Sequence, residues 1–291
     1  MVNKKNLKLI AKILVTGLAL FLVFQKIDTA TTWQVIKNAQ PGWLLLSWVF
    51  FIASKVFCSF RLNGYFRDVG LHLSEIKNLK LYAIGMFYNL FLPGGIGGDG
   101  YKVYLLNKIY KVPVKKLLAA VLLDRGNGLA VILFLVFALL PFISLPLDPP
   151  GIQLILGIFG MLGILLGLYV VMLLFFKNFL ASIFSTTGYS LLNQALQLGS
   201  TYFILISMGV GDQIWPYLFV FLISSLVSVI PLTIGGVGAR ELVFVYAHEY
   251  VGIDKNIAVA FSLLFFMVTV LTSLSGVFLK FREEGGETTQ Q

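Results

Sequence analysis

The chain has 291 residues, of which 58% are hydrophobic and only 12% are charged, so it is too apolar for a soluble domain of this length. Its net charge of +9 does not indicate nucleic-acid binding, because the Lys and Arg residues lie in short tracts between apolar runs. One cysteine, Cys58, excludes an internal disulfide. Two histidines, His72 and His248, provide no metal-ligand cluster, so neither a metal nor another cofactor is expected.

The amino-terminal part predicts two membrane spans joined by a short interfacial helix. Lysines precede an apolar run at residues 13–24 and no cleavage site follows, which indicates a retained span that starts in the cytoplasm. Residues 31–40 predict the interfacial helix. A second span runs from about Trp43 to Phe60 and ends at Arg61, on the cytoplasmic side, and Lys55 within it is expected to extend toward the headgroups.

The segment from 81 to 101 predicts a re-entrant hairpin. Its apolar part is too short for a full crossing, which needs about 20 residues, and it ends at Pro93 and several glycines. Basic tracts lie on both sides of it, and such tracts stay in the cytoplasm. The segment should therefore enter and leave the membrane by the same face.

The rest of the chain predicts four further spans and a second hairpin. The spans are residues 117–142, 151–176, 189–208 and 256–279, and the hairpin is 217–250. Gly160, Gly163 and Gly167 offer the 151–176 span a close-packing face. The polar residues 283–291 are expected to form a disordered tail. The predicted fold class is an all-α integral membrane protein, a single multi-pass domain over 1–291 in the cytoplasmic membrane, with about six transmembrane helices, two re-entrant hairpins and both termini in the cytoplasm.

A ten-residue motif, Pro-x-x-Ile-Gly-Gly-x-Gly-x-Lys/Arg, occurs twice in the chain. Residues 93–102 read PGGIGGDGYK and residues 231–240 read PLTIGGVGAR, 138 residues later. Proline and glycine break a helix, and in hydrocarbon such broken backbone is tolerated only where it is buried in protein or lines a wet cavity. We therefore predict two repeats of opposite orientation, residues 7–144 and 151–280, whose broken segments meet near the membrane centre as in transporters.

The predicted substrate site is built from both copies of this motif. Helix ends with free N–H groups bind anions, and Lys102 and Arg240 add positive charge at matched places. The candidate substrate-binding residues are Asn89, Gly97, Gly98, Asp99, Lys102, Asp124, Arg125, Gly235, Gly236, Arg240 and Glu241.

Two adjacent charge pairs and one amide have alternative roles. Asp124 and Arg125 either neutralise each other within a helix bundle or contact a substrate or a proton. Arg240 and Glu241 either form an interfacial anchor pair or serve the cargo. Asn89 either caps the broken backbone or binds substrate.

Three motifs in this order resemble the membrane domain of the lysylphosphatidylglycerol synthase family, which is described as flippase-like. They are NLFLPGGIGGDGYKVYLL from Asn89, LLDR at 122–125 and IPLTIGGVGARE at 230–241. The resemblance implies translocation of a lipid with a polar or charged headgroup between leaflets. Members that make aminoacylated lipid carry a separate soluble transferase domain, so the synthase reaction is expected to be absent. The family commonly has Gly-Glu and then Arg in the first motif, where this chain has Gly98-Asp99 and then Lys102.

The leading functional hypothesis is translocation of a lipid with an anionic headgroup, such as a phospholipid or a polyprenyl-phosphate-linked glycolipid. The alternative is a secondary transporter or channel for a small soluble solute or ion, since the same repeat geometry serves both. An enzyme acting on lipid ranks third, because no nucleophile motif is present, and we expect no catalytic activity. The expected partner is a membrane lipid, not a nucleic acid, and the oligomeric state is left open.

Overall fold

The computed structural model describes residues 4–91, 97–146, 148–149, 151–230, 233 and 236–281. Within them every regular element is helical. The α-helices are α1 (Lys4–Lys26), α2 (Thr29–Asn38), α3 (Pro41–Asp68), α4 (Glu75–Phe91), α5 (Gly97–Tyr110), α6 (Val114–Leu139), α7 (Ile152–Phe175), α8 (Ile183–Ser207), α9 (Ile214–Val229), α10 (Ala239–Val251) and α11 (Lys255–Leu274). Short 3₁₀ turns follow α6, α7 and α11, at Leu140–Phe142, Lys177–Ser182 and Ser275–Phe278. The predicted disordered tail lies outside the described residues, as do most residues of each motif before its last glycines.

Four helices in the described part of the chain are long and apolar enough to cross a membrane. They are Pro41–Asp68, Val114–Phe142, Ile152–Phe175 and Lys255–Phe278, and shorter apolar helices cover Thr16–Lys26 and Ile214–Val229. The side chains of α7 show why a bilayer is needed, since Phe159 is 70% exposed and Phe175 is 74% exposed. Rings exposed to this extent are stable in hydrocarbon but not in water.

Two predictions about the spans are wrong in detail. The predicted end of the second span at Arg61 is wrong, because α3 continues to Asp68 and Arg61 is buried. The close-packing face of α7 is formed by Gly157 and Gly160, where a Cβ would meet Phe137 of α6. Nothing lies within 4 Å of a Cβ at Gly163 or Gly167, so these two glycines pack against no neighbour within the described part of the chain.

Two packed centres support the helix ends that bear the motifs. One is formed mainly by α3, α5 and α6, with Leu62, Leu106 and Leu117 fully buried. The other joins α3, α8, α9 and α11, where Phe221, Phe261 and Phe265 make edge-to-face contacts. Buried polar residues of α8 face α3, as in the 2.9 Å hydroxyl contact between Ser200 and Ser47. Helix α3 contributes to both centres, through Leu62 and Phe51.

Candidate functional site

The first helix pair, α4 and α5, closes through a glycine contact and an amide cap. A Cβ on Gly98 would collide with the carbonyl group of Gly85, so only glycine lets the two helices approach this closely. The side-chain oxygen of Asn89 accepts a hydrogen bond of 2.9 Å from the Gly98 N–H. Asn89 therefore caps the first turn of α5, as one of its two predicted roles requires. Gly97 begins that turn.

Asp99 lies between two cations from different helices. Its Oδ1 accepts a 3.0 Å bond from Lys102 Nζ, and its Oδ2 accepts a bond from Arg125 Nε on α6. Lys102 is only 3% exposed and also lies 4.8 Å from the ring centroid of Tyr82. The matched basic residue of the first motif is thus already neutralised by a carboxylate of the same motif.

Asp124 pairs with Arg61 rather than with its neighbour Arg125. Arg61 Nε lies 2.7 Å from Asp124 Oδ1, and Arg61 Nη1 donates a 2.9 Å bond to Ser190 of α8. Ser190 in turn donates to Asn127. The mutual neutralisation of Asp124 and Arg125 is therefore wrong, because each has a partner on another segment. The Arg61 network ties α3, α6 and α8 together away from the motif glycines.

In the second helix pair, α9 and α10, Glu241 caps its own helix. Its Oε2 accepts a 2.6 Å bond from the Gly238 N–H, and its Oε1 accepts a 2.7 Å bond from Ser262 of α11. Glu241 is 2% exposed. Both of its oxygens are used, so the proposed anchor pair with Arg240 is not formed among the described residues.

Arg240 carries an unsatisfied donor. Its Nε is buried and has no hydrogen-bond partner in the described part of the chain. The guanidinium carbon lies 4.8 Å from the ring centroid of Phe265 and 5.8 Å from that of Phe221. Such cation–π contacts offset part of the desolvation cost but leave the N–H groups unbonded. A hydroxyl that lines the same cavity as Arg240, Thr233 Oγ1, is also buried and finds no partner among the described residues.

These groups face one cavity of about 350 Å³ between the two motif-bearing pairs. A ligand pocket typically measures about 300–1,000 Å³, so the space is large enough for a small polar ligand. The cavity is lined by Phe51, Lys55, Tyr82, Met86, Asn89, Leu90, Arg125, Ser225, Ser228, Val229, Thr233, Gly236, Arg240, Thr269 and Ser273. Three of these residues are cationic, and no Asp or Glu is among them. We call this space the cationic cavity.

The structure brings four of the predicted site residues to the cationic cavity: Asn89, Arg125, Gly236 and Arg240. Asp99 and Lys102 contact it only through Arg125 and Tyr82, while Asp124 and Glu241 belong to the networks described above. Gly235 lies outside the described residues. Sequence reasoning missed Lys55, Thr233 and the serines of α9. Ser225 and Ser228, three residues apart, were the available signal, because this spacing puts both on one face of an otherwise apolar helix.

Among the described residues no group of three or more His, Cys, Asp or Glu side chains could hold a metal ion.

Two comparisons with known proteins identify the family of this chain. A UPF0104 membrane protein of Pyrococcus horikoshii is 24% identical in an alignment of 299 positions that covers 84% of this chain and 89% of that protein. The sequence profile described as the lysylphosphatidylglycerol synthase TM region matches residues 9–276. The protein is therefore an integral membrane protein that belongs to the lysylphosphatidylglycerol synthase TM region family.

Proposed function

We propose that this chain moves a membrane lipid with an anionic headgroup, such as a phospholipid or a polyprenyl-phosphate-linked glycolipid, between the leaflets of the cell membrane. The observation that carries this proposal is the cationic cavity, in which the buried Nε of Arg240 has no partner among the residues that the structure describes. A phosphate oxygen is the natural acceptor, because guanidinium can hold phosphate through two parallel hydrogen bonds. Lysylphosphatidylglycerol, which names the family, shares that phosphate.

The proposed transport rests on a finer topology than length and composition establish. In it, six helices span the bilayer, the pairs α4–α5 and α9–α10 are re-entrant hairpins of two inverted repeats, and both termini are cytoplasmic. The test is single-cysteine labelling in a Cys58→Ser background. This substitution removes the one native cysteine, which is buried. A cysteine at the exposed Ser144 should react only from outside the cell. Reaction from the cytoplasmic side alone would contradict the topology.

The transport test uses liposomes that contain the purified protein and lipids labelled on an acyl chain. A leaflet-selective quencher measures movement of phosphatidylglycerol, lysylphosphatidylglycerol and a glucosyl diacylglycerol that lacks phosphate. We expect the two phosphate-bearing lipids to move faster. Arg240→Gln should lower their rate roughly 10- to 100-fold, since a hydrogen bond to a charged group contributes about 1.5–3 kcal/mol. Glu249→Gln, on the exposed face of the same helix, is the matched control.

The outcomes of that assay separate the functional classes. Movement at the protein-free rate with every lipid would overturn the proposal. Release of trapped glycerol phosphate, with no lipid movement, would favour a transporter of soluble anions instead. We propose no catalytic role. If mass spectrometry detected chemical conversion of any lipid during the assay, this part of the proposal would be contradicted.

A further inference from the structure

An apolar groove adjoins the cationic cavity. It has a volume of about 360 Å³ and lies between α3, α4 and the end of α11. Its lining is Ile52, Lys55, Val56, Ile76, Leu79, Lys80, Tyr82, Ala83, Met86, Thr272, Ser275 and Leu279. Lys55, Tyr82 and Met86 line both spaces, so the groove and the cavity share a wall and meet at these three side chains. We call it the lateral groove.

The dimensions of the lateral groove suit a hydrocarbon chain. It follows α4 from Ile76 to Met86, and ten residues of α-helix rise about 15 Å. That length is about half of the 30 Å hydrocarbon core of a bilayer, which is the depth of one leaflet. The rim is open, since Ile52 is 40% exposed and Ile76 is 69% exposed. The groove is therefore accessible sideways from the surrounding lipid.

Lys55 lies where the apolar and the cationic spaces meet. Its Nζ is 4.3 Å from the ring centroid of Phe51, and no carboxylate is among the described residues that line either space. An ammonium in an apolar setting needs an anion near it, because desolvation without a partner costs several kcal/mol. A phosphate in the cavity would supply that anion. Its attached chain would then begin beside Lys55 and continue into the groove.

We infer that the lateral groove is the binding site for the hydrocarbon chain of the transported lipid, with Lys55 at the junction holding the phosphate next to the chain. The inference rests on the proposed function and narrows the substrate to amphiphiles in which phosphate is joined closely to a hydrocarbon chain. A soluble anion would use the cationic cavity alone and would leave the groove to bulk lipid.

The test uses dodecyl phosphate that carries a photoreactive diazirine at the chain end, with the whole protein in nonionic maltoside micelles. Mass spectrometry should locate the label on α4 residues 76–83 or on Leu279. Unlabelled dodecyl phosphate should compete at least tenfold better than inorganic phosphate or dodecanol, because each of these competitors fills only one of the two spaces. Equal competition by inorganic phosphate, or label spread over the exposed face of α7, would overturn the inference.

Variants of α3 make the test specific. Ile52→Trp narrows the lateral groove and Lys55→Gln removes the junction charge, so each should lower groove labelling about tenfold, the change expected for about 1.4 kcal/mol of binding free energy. Val49→Trp is the control, since Val49 is 51% exposed on the same helix and lines neither space. Equal labelling in Ile52→Trp and in Val49→Trp would overturn the inference. Groove labelling without transport in liposomes would instead contradict only the proposed function.

Discussion

The two copies of the repeated motif start their helices at different positions and also treat their basic residue differently. Helix α5 begins at Gly97, whereas α10 begins at Ala239, after Gly236 and Gly238 in the left-handed region. Lys102 in the first copy is paired with Asp99 three residues earlier. The position that matches Asp99 in the second copy, 138 residues later, is Val237, and the Nε of Arg240 has no partner within the described part of the chain. The shared glycines therefore serve different local structures, since Gly98 lies inside α5 while the matching Gly236 has a positive φ before α10. The difference in charge indicates which copy is left to bind an anion.

The residues that cap the two helices also differ between the copies. In the first copy, the cap comes from Asn89 on the preceding helix. In the second copy it comes from Glu241 of the same helix, at the position that matches Val103. Both Glu241 oxygens are used in these bonds, and Glu241 makes no hydrogen bond or salt bridge to the Arg240 side chain among the described residues. The second copy thus has a carboxylate beside its arginine in sequence, yet leaves the arginine available for a ligand.

The largest expected effect is on stability in the first copy. Asp99→Asn leaves the buried Lys102 and the Nε of Arg125 without their carboxylate, and breaking a buried ion pair costs about 3–5 kcal/mol. Thermal unfolding in detergent should show a large drop in Tm, whereas Arg240→Gln should leave Tm nearly unchanged. Asp212→Asn, at an exposed loop position, is the control. The comparison between the copies would be wrong if Arg240→Gln unfolded the protein and Asp99→Asn did not.

A smaller loss should follow from Gly98→Ala, because the added Cβ would push α5 away from the Gly85 carbonyl group. Overpacking of this kind costs about 1–3 kcal/mol. Gly100→Ala is a matched control two residues along, since nothing lies within 4 Å of a Cβ there. Denaturant or thermal unfolding of both variants measures the difference in their stability. Equal stability of the two would show that the glycine contact does not hold the helix pair together.

Glu241→Gln should cost about 1–2 kcal/mol, because an amide has one acceptor where the carboxylate accepts bonds from both Gly238 and Ser262. Glu249→Gln, eight residues along α10 and exposed, should leave the free energy of unfolding unchanged. If both variants matched the wild type, Glu241 would not be a cap. Transport by Glu241→Gln, measured per folded protein, should stay near wild type.

The smallest expected effect tests the charge difference directly. Val237→Asp gives the second copy the carboxylate that the first has, three residues before Arg240 in the turn that precedes α10. The new carboxylate should compete with the lipid phosphate and lower transport about tenfold, which corresponds to about 1.4 kcal/mol. Val237→Asn has a similar size without the charge and serves as control. A rate that is equally low in both variants would point to packing rather than to charge.

Sequence reasoning predicted the order of the elements because apolar runs and Pro-Gly breaks are local signals. The ion partners were not local. Asp124 and Arg125, like Arg240 and Glu241, are adjacent in sequence, and adjacent residues on a helix do not face each other. Arg61 was assigned to a loop because cytoplasmic loops are basic, although the polar residues after it continue a helix. The site residues could therefore be predicted by type and spacing, but their pairing depends on how the helices pack.

The Arg61–Asp124 ion pair also constrains how the chain enters the membrane during synthesis. The two residues are 63 positions apart, so at about 5–20 residues per second α3 leaves the ribosome several seconds before α6 can supply the carboxylate. Until then Arg61, in the last third of α3, has no Asp124 to offset its charge, and an arginine at the centre of a span would add about 2.5–3.5 kcal/mol to the insertion free energy. Synthesis of α6 therefore completes an ion pair that α3 lacks when it leaves the ribosome.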